Sequence, residues 1–192
     1  MDINRIVERV KNILLTPRTE WLVIEAEKAE YSKVLISWLL PLSLISAVAA
    51  LIGFGVIGVP VGPAKVASMS LGLRQAVLQL VSMIGGAYLT AFIVNSLAEK
   101  YASQKNMDQA LSLIAYAYTP ACLGGIFQII PSMSFIGSLA GLYSLYLLYI
   151  GLPVLMKTPP EKKTGYFVVS LLCTLGVAIL LSTVLTVFFM LG

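Results

Sequence analysis

Histidine is absent from all 192 residues, and charge is scarce: Asp, Glu, Lys and Arg make up 11% of the chain against 58% hydrophobic residues. Without imidazole there is no His metal site, no His proton relay and no Ser-His or Cys-His catalytic pair. The two cysteines, Cys122 and Cys173, lie in separate apolar stretches with no second Cys at metal-ligand spacing. A disulfide framework and a zinc site are therefore not expected, and both read as small packing residues. Soluble domains carry about 25% charged residues, so a water-facing surface cannot be assembled from this chain and its solvent is mostly lipid. The basic residues behind the net charge of +4 fall in gaps between apolar stretches rather than on one face, so nucleic acid is not expected as a partner. A cleavable signal peptide needs an apolar run of 7 to 15 residues, and the first thirty residues are charged throughout, so the N-terminus is expected to be retained.

What is present is apolar length. About 20 residues cross the roughly 30 Å of bilayer hydrocarbon, and five stretches reach that length: Val34 to Ile57, Leu73 to Leu97, Ala110 to Ile130, Phe135 to Met156 and Tyr166 to Leu191. The expected fold is all-α, a polytopic bundle of five transmembrane helices (34–192) preceded by a cytoplasmic amphipathic segment (1–33). In that segment Ile3, Ile6, Val7, Val10, Ile13 and Leu14 recur at helical spacing, and Arg5, Glu8, Arg9, Lys11 and Asn12 are assigned to the other face. Too polar to span, this helix is expected in the headgroup region or over the ends of the spans. Thr16-Pro17 reads as an N-cap with Pro at the first helical position, starting a second helix. Trp21 there, and Trp38 near the start of the first span, suit interfacial anchors. Residues 1 to 33 hold six basic and six acidic side chains, Asp2 and Lys28 among them, which does not make a polybasic lipid-binding arm.

Between spans, Gly58 to Gly72 reads as a loop, Asp108 as the cap of the third span, and Pro131 to Ser134 as a short hairpin connection. Lys157 to Gly165, with Pro159-Pro160, reads as a further loop. Lysine and arginine flanks stay in the cytoplasm, and an inside N-terminus puts eleven of the 13 basic residues and all 9 acidic ones on that side, leaving only Lys65 and Arg74 outside. The chain is expected to be multi-pass in a membrane, with the C-terminus outside.

An intramembrane charge would be a functional site by default, but every Asp, Glu, Lys and Arg lies in a connection or, like Arg74, at a helix end. Gly-x-x-x-x-Gly-Lys-Ser/Thr, His-Glu-x-x-His and Gly-x-Ser-x-Gly are also absent, so neither enzyme chemistry nor a cofactor is expected. Neutral polarity and a broken backbone remain. Tyr116, Tyr118 and Thr119 precede Pro120, whose missing N–H leaves the Tyr116 carbonyl without its helical partner. Such breaks either line substrate sites, with amides such as Asn95, Gln79 and Gln128 contributing, or are satisfied by neighbouring side chains. On the fourth span Gly137 and Gly141 form a Gly-x-x-x-Gly pair that packs a helix, either within the chain or in a second copy. Tyr143, Tyr146 and Tyr149 drift along one side of the same helix, as packing aromatics or as the lining of a polar interior.

Three stretches carry a family resemblance: Leu14-Leu-Thr-Pro-Arg-Thr-Glu-Trp21, Tyr116-Ala-Tyr-Thr-Pro120 and Tyr143-Ser-Leu-Tyr-Leu-Leu-Tyr-Ile-Gly-Leu152. With the five-span order they resemble the YIP domain membrane proteins, named for interaction with Ypt/Rab GTPases. The resemblance implies a cytoplasmic N-terminus and an outside or lumenal C-terminus. Eukaryotic members act in endoplasmic reticulum to Golgi traffic and bind Rab-type GTPases and one another. Their Asp-Leu-Tyr-Gly-Pro motif is not found here, and the short N-terminal region looks like that of the compact prokaryotic members, a resemblance that implies a prokaryotic inner membrane. The function expected is a non-enzymatic scaffold or membrane-organising protein that meets lipid and a protein partner on its cytoplasmic face. The alternative is a small transporter, channel or lipid-translocating protein using the broken third span.

Overall fold

A computed structural model describes residues 3–27 and 30–191; Asp2, Lys28 and the C-terminal Gly192 lie outside the described residues. Five helical segments are long and apolar enough to cross a membrane: Ser32–Ile57, Met69–Tyr101, Met107–Ile129, Pro131–Leu155 and Pro160–Leu180. Of the third, 72% is buried inside the protein, against 39% or less for each of the others. The span that carries the backbone break is therefore the centre of the bundle, and the other four separate it from lipid.

Ahead of the spans, helices α1 (Ile3–Leu15) and α2 (Pro17–Glu27) form a helical hairpin. Its tip is made locally. Pro17 cannot continue α1 because it has no N–H to donate. The Thr16 hydroxyl donates back to the Asn12 carbonyl at 3.2 Å, closing α1 where the sequence suggested a forward cap on α2. Ile13, Trp21 and Ile24 are buried, with Ile6 and Val10 packed on the core, while Val7, Leu15, Leu22 and Val23 stay exposed. Trp21 lies on Gly151: an added Cβ there would come within 2.7 Å of the indole. Both tryptophans, expected at a lipid interface, are thus inside the protein, Trp21 1% and Trp38 0% exposed.

The first span is built from α3 (Tyr31–Val34), a π-helical segment (Leu35–Leu39), α4 (Leu40–Ile52) and a second π segment (Gly53–Ile57). Just before Pro41, the Leu40 N–H reaches back five residues to the Leu35 carbonyl. The helix thus passes into Pro41 through a widened turn. The stretch read as a loop, Gly58 to Gly72, contains an antiparallel hairpin of β1 (Val59–Val61) and β2 (Ala64–Val66), turned at Gly62 with φ 60°. Helix α5 (Met69–Leu97) starts within that stretch and crosses the first span with bare backbones in contact: a Cβ on Gly72 would lie 2.7 Å from the Gly55 Cα.

The third span comprises α6 (Met107–Ala117), α7 (Thr119–Gly124) and a 3-10 segment (Gly125–Ile129). Asn106, not Asp108, caps it: the Asn106 side chain accepts from the Gln109 N–H at 3.1 Å. Helix α8 (Ser134–Leu155) follows one 3-10 turn (Pro131–Met133) and meets α7 at a glycine crossing. A Cβ on Gly124 would fall 2.7 Å from the Ala140 Cβ. Helix α9 (Pro160–Leu191) begins five residues before the expected end of the preceding loop. Pro160 and Glu161 explain the early start: proline needs no partner in the first helical turn, and a carboxylate there faces the positive end of the helix dipole. The connections on either side are tied together, Ser103 to Thr158 at 2.9 Å and the Gln104 N–H to the Met156 carbonyl at 2.8 Å.

Candidate functional site

The break in the third span is where neutral polar groups were expected to gather. Tyr118 stands between α6 and α7, and the polar groups flanking Pro120 are paired with neighbouring helices. The Thr119 hydroxyl accepts from the Trp38 indole N–H at 3.2 Å, and the Tyr118 hydroxyl pairs with Thr90 of α5 at 3.2 Å. One turn further on, the Ser46 hydroxyl donates to the Cys122 carbonyl at 2.5 Å, and the Ala121 N–H donates to Ser144 of α8 at 3.3 Å. The Tyr116 ring lies 4.8 Å from that of Trp38, inclined at 50°. Thr119 is 0% and Tyr116 3% exposed, so around Pro120 the chain forms a packed polar seam.

One end of the seam is charged. The Arg9 guanidinium donates to the Tyr116 hydroxyl at 3.2 Å and lies 5.6 Å from the centre of that ring. It also holds two carboxylates: Glu20 through Nε at 3.1 Å, and Glu27 through a two-pronged contact whose Nη1 bond measures 2.6 Å. Glu20 is 6% exposed. The bond from Arg9 pulls the Glu27 carboxyl below its ordinary pKa, against the opposing effect of burial, and raises that of the guanidinium in return. A cleft of about 590 Å³ between α1 and α2 opens beside this cluster, lined by Arg5, Glu8 and Asn12 as well.

The sequence placed Arg9 on the polar face of α1, and the structure overturns that assignment. At about 100° per residue Arg9 falls at the edge of the Ile6–Val10–Ile13 stripe, next to Ile13, and its side chain is 13% exposed. Glu20 lies beside Trp21 and Ile24 on α2 in the same way. A charge at i+3 of an apolar stripe was the available signal, and it was outvoted by residue type.

Of the other expected residues, Tyr143 donates its hydroxyl to the Leu14 carbonyl at 2.8 Å, fastening the end of α1 to α8, and the Tyr146 ring lies 5.6 Å from it. Neither joins Tyr116 and Thr119 through a hydrogen bond. Asn95 stands apart too, its Oδ1 buried with no hydrogen-bond partner among the described residues. Gln79 and Gln128 do converge, but with Gln75 around a separate cavity of about 320 Å³. Gly137 is in the α7–α8 crossing, its added Cβ meeting the Gly124 carbonyl, whereas a Cβ on Gly141 would touch nothing within 4 Å. Among the described residues no three His, Cys, Asp or Glu side chains are grouped to hold a metal ion.

The comparisons agree with this architecture. The Yip1 domain model matches residues 11–183, from within α1 to within α9. The inner membrane protein YohC of Escherichia coli, from each of two strains, is 27% identical over 155 residues, covering 78% of this chain and 80% of its own length. No solved structure matches. Five spans, a central span broken at Tyr-Thr-Pro and this match over most of the length lead to one conclusion: the chain is a multi-pass membrane protein that belongs to the Yip1 domain family.

Proposed function

We propose that this protein is a non-enzymatic membrane scaffold, which organises lipid or a protein partner through the α1–α2 hairpin on the cytoplasmic side of a bacterial-type inner membrane. The observation that carries this reading is the closed seam: Trp38, Thr90, Ser46, Ser144 and Arg9 hydrogen-bond the polar groups that flank Pro120. A transport path needs such groups exposed to a passing solute, so the seam weighs against the transporter alternative. What the hairpin leaves outward is a mixed surface, with Val7, Leu15, Leu22 and Val23 exposed among charged side chains. An apolar face of that kind suits the acyl boundary of a membrane or a partner helix. The distribution of basic residues, and relatives named as inner membrane proteins, support the orientation and location.

The test is deletion of residues 1 to 15 in the full chain. Partners recovered by crosslinking, or complementation of a null-strain growth phenotype, should be lost while the spans still insert. Full activity without the segment would remove the scaffold reading. Uptake or lipid-translocation assays in liposomes, with Pro120→Ala and Asn95→Ala as variants, should show no flux above empty vesicles.

A further inference from the structure

Apart from the seam, three glutamine side chains face one space. Gln75 and Gln79 stand four residues apart on the same face of α5, and Gln128 comes from the 3-10 segment after α7. Together with Phe54 and Ser134 they line the cavity of about 320 Å³. Bare backbone makes the room: Gly124, Gly125 and Gly137 also line it, and Gly53 lets the chain at Gln128 approach so closely that a Cβ would come within 1.9 Å of its carbonyl oxygen. The site lies at the end of the spans that holds the β1–β2 hairpin and the α7–α8 connection, remote from the Glu25–Lys157 contact of α2.

None of the three amides hydrogen-bonds to another described residue. All three are half-buried, so their amides are open to water or to a ligand that enters the cavity, and a ligand displaces that water only if it replaces the hydrogen bonds. No Asp, Glu, Lys or Arg lines the cavity, so a charged group would enter without compensation. Amides donate and accept, and Phe54 adds an aromatic wall. The volume is at the small end of the roughly 300–1,000 Å³ range of ligand pockets. We propose that the Gln75–Gln79–Gln128 cavity is a binding site for an uncharged, hydroxyl-rich group of about the size of one sugar ring. Such a group is presented either by the headgroup of a neutral glycolipid or by a free polyol, and the cavity chemistry is the same for both.

The experiment uses the full-length protein in phosphatidylcholine nanodiscs doped with monoglucosyl diacylglycerol, with plain diacylglycerol or with phosphatidylglycerol. Bound lipid is read by native mass spectrometry, and a parallel arm titrates glucose and glycerol without added glycolipid. Selective retention of the glucosyl lipid supports the site with a lipid source. Saturable binding of glucose or glycerol supports it with a soluble one. In either case Gln79→Leu and Gln128→Leu should weaken binding by about tenfold, the loss of roughly one hydrogen bond, while Gln104→Leu, outside the cavity, leaves it unchanged. The proposal is overturned if the native chain selects neither ligand, if it prefers phosphatidylglycerol, or if the double variant binds as the native chain does. Gln79→Met and Gln128→Met keep the side-chain length and replace the leucine variants should those fail to fold. The native-chain panel alone remains decisive.

Discussion

A guanidinium buried at the edge of the Ile6–Val10–Ile13 stripe must find anions or leave its place. Arg9 finds two, and the Glu20 side chain is then only 8% exposed beside an Arg9 that is 13% exposed. Removing one partner of such a pair strands the other, at a cost of about 3 kcal/mol. Arg9→Met keeps the bulk and should therefore release the α1–α2 hairpin without disturbing the spans. Amide hydrogen exchange in residues 3–27 should rise by about 100-fold, with the protection of α6 unchanged; equal loss throughout would show that the cluster holds the whole bundle. At this scale the sequence was legible in part. Pro120, Thr119 and Tyr116 were found from the missing N–H alone. Asn95 was grouped with them because residue type carries no information about which face of α5 an amide occupies. The groups that closed the seam, Trp38 and Thr90, were not assigned to it because hydrogen bonds between spans have no periodicity to read.

At the scale of elements, close crossings separate glycines that hold helices together from glycines that do not. Gly124→Val would drive new atoms into Ala140 and the Gly137 carbonyl, and should destabilise the protein by about 1–3 kcal/mol in a graded SDS unfolding assay. Gly141→Ala has open space around its new methyl group and should unfold at the native SDS fraction. The Gly-x-x-x-Gly spacing marked both Gly137 and Gly141 equally, since a pattern cannot say which of its members meets a neighbour. The hairpin offers a second test. Glu27 has a depressed pKa in the folded state, so the stability it contributes is full above the ordinary Glu value near 4.3 and is lost as the pH falls through the lower folded value. Limited proteolysis with an acid-active protease should leave residues 1–30 protected above about pH 5 and cut them on further acidification. Glu27→Gln should flatten that dependence. The early start of α9 was missed because Pro159-Pro160 was read as a stop, when the second proline is suited to a first helical turn.

For the whole molecule, the starts of the five spans were readable to within six residues because apolar length is what the bilayer itself demands. Which span is central was not readable. All five are apolar, and the hydrophobic effect that sorts inside from outside in water makes no such distinction in lipid. Orientation rests on charge. Reporter fusions that are active only outside should report from the β1–β2 hairpin and stay silent after Lys105 and after Lys163. Moving the basic residues of 1–33 to the hairpin should invert the pattern, and a reporter active after Lys163 in the native chain would reverse the proposed topology.

The widened turn at Leu35–Leu39 stands between the hairpin and Pro41. It carries one residue more than a regular turn would, and so acts as a spare unit of length in the connection. Removing Ile36 would let the helix close at ordinary pitch with its two flanks near their present phase, whereas the same deletion in the regular turns of α4 would rotate everything before it by about 100°. One residue can therefore be lost at this turn with the hairpin still seated against Tyr116, a loss that α4 cannot absorb.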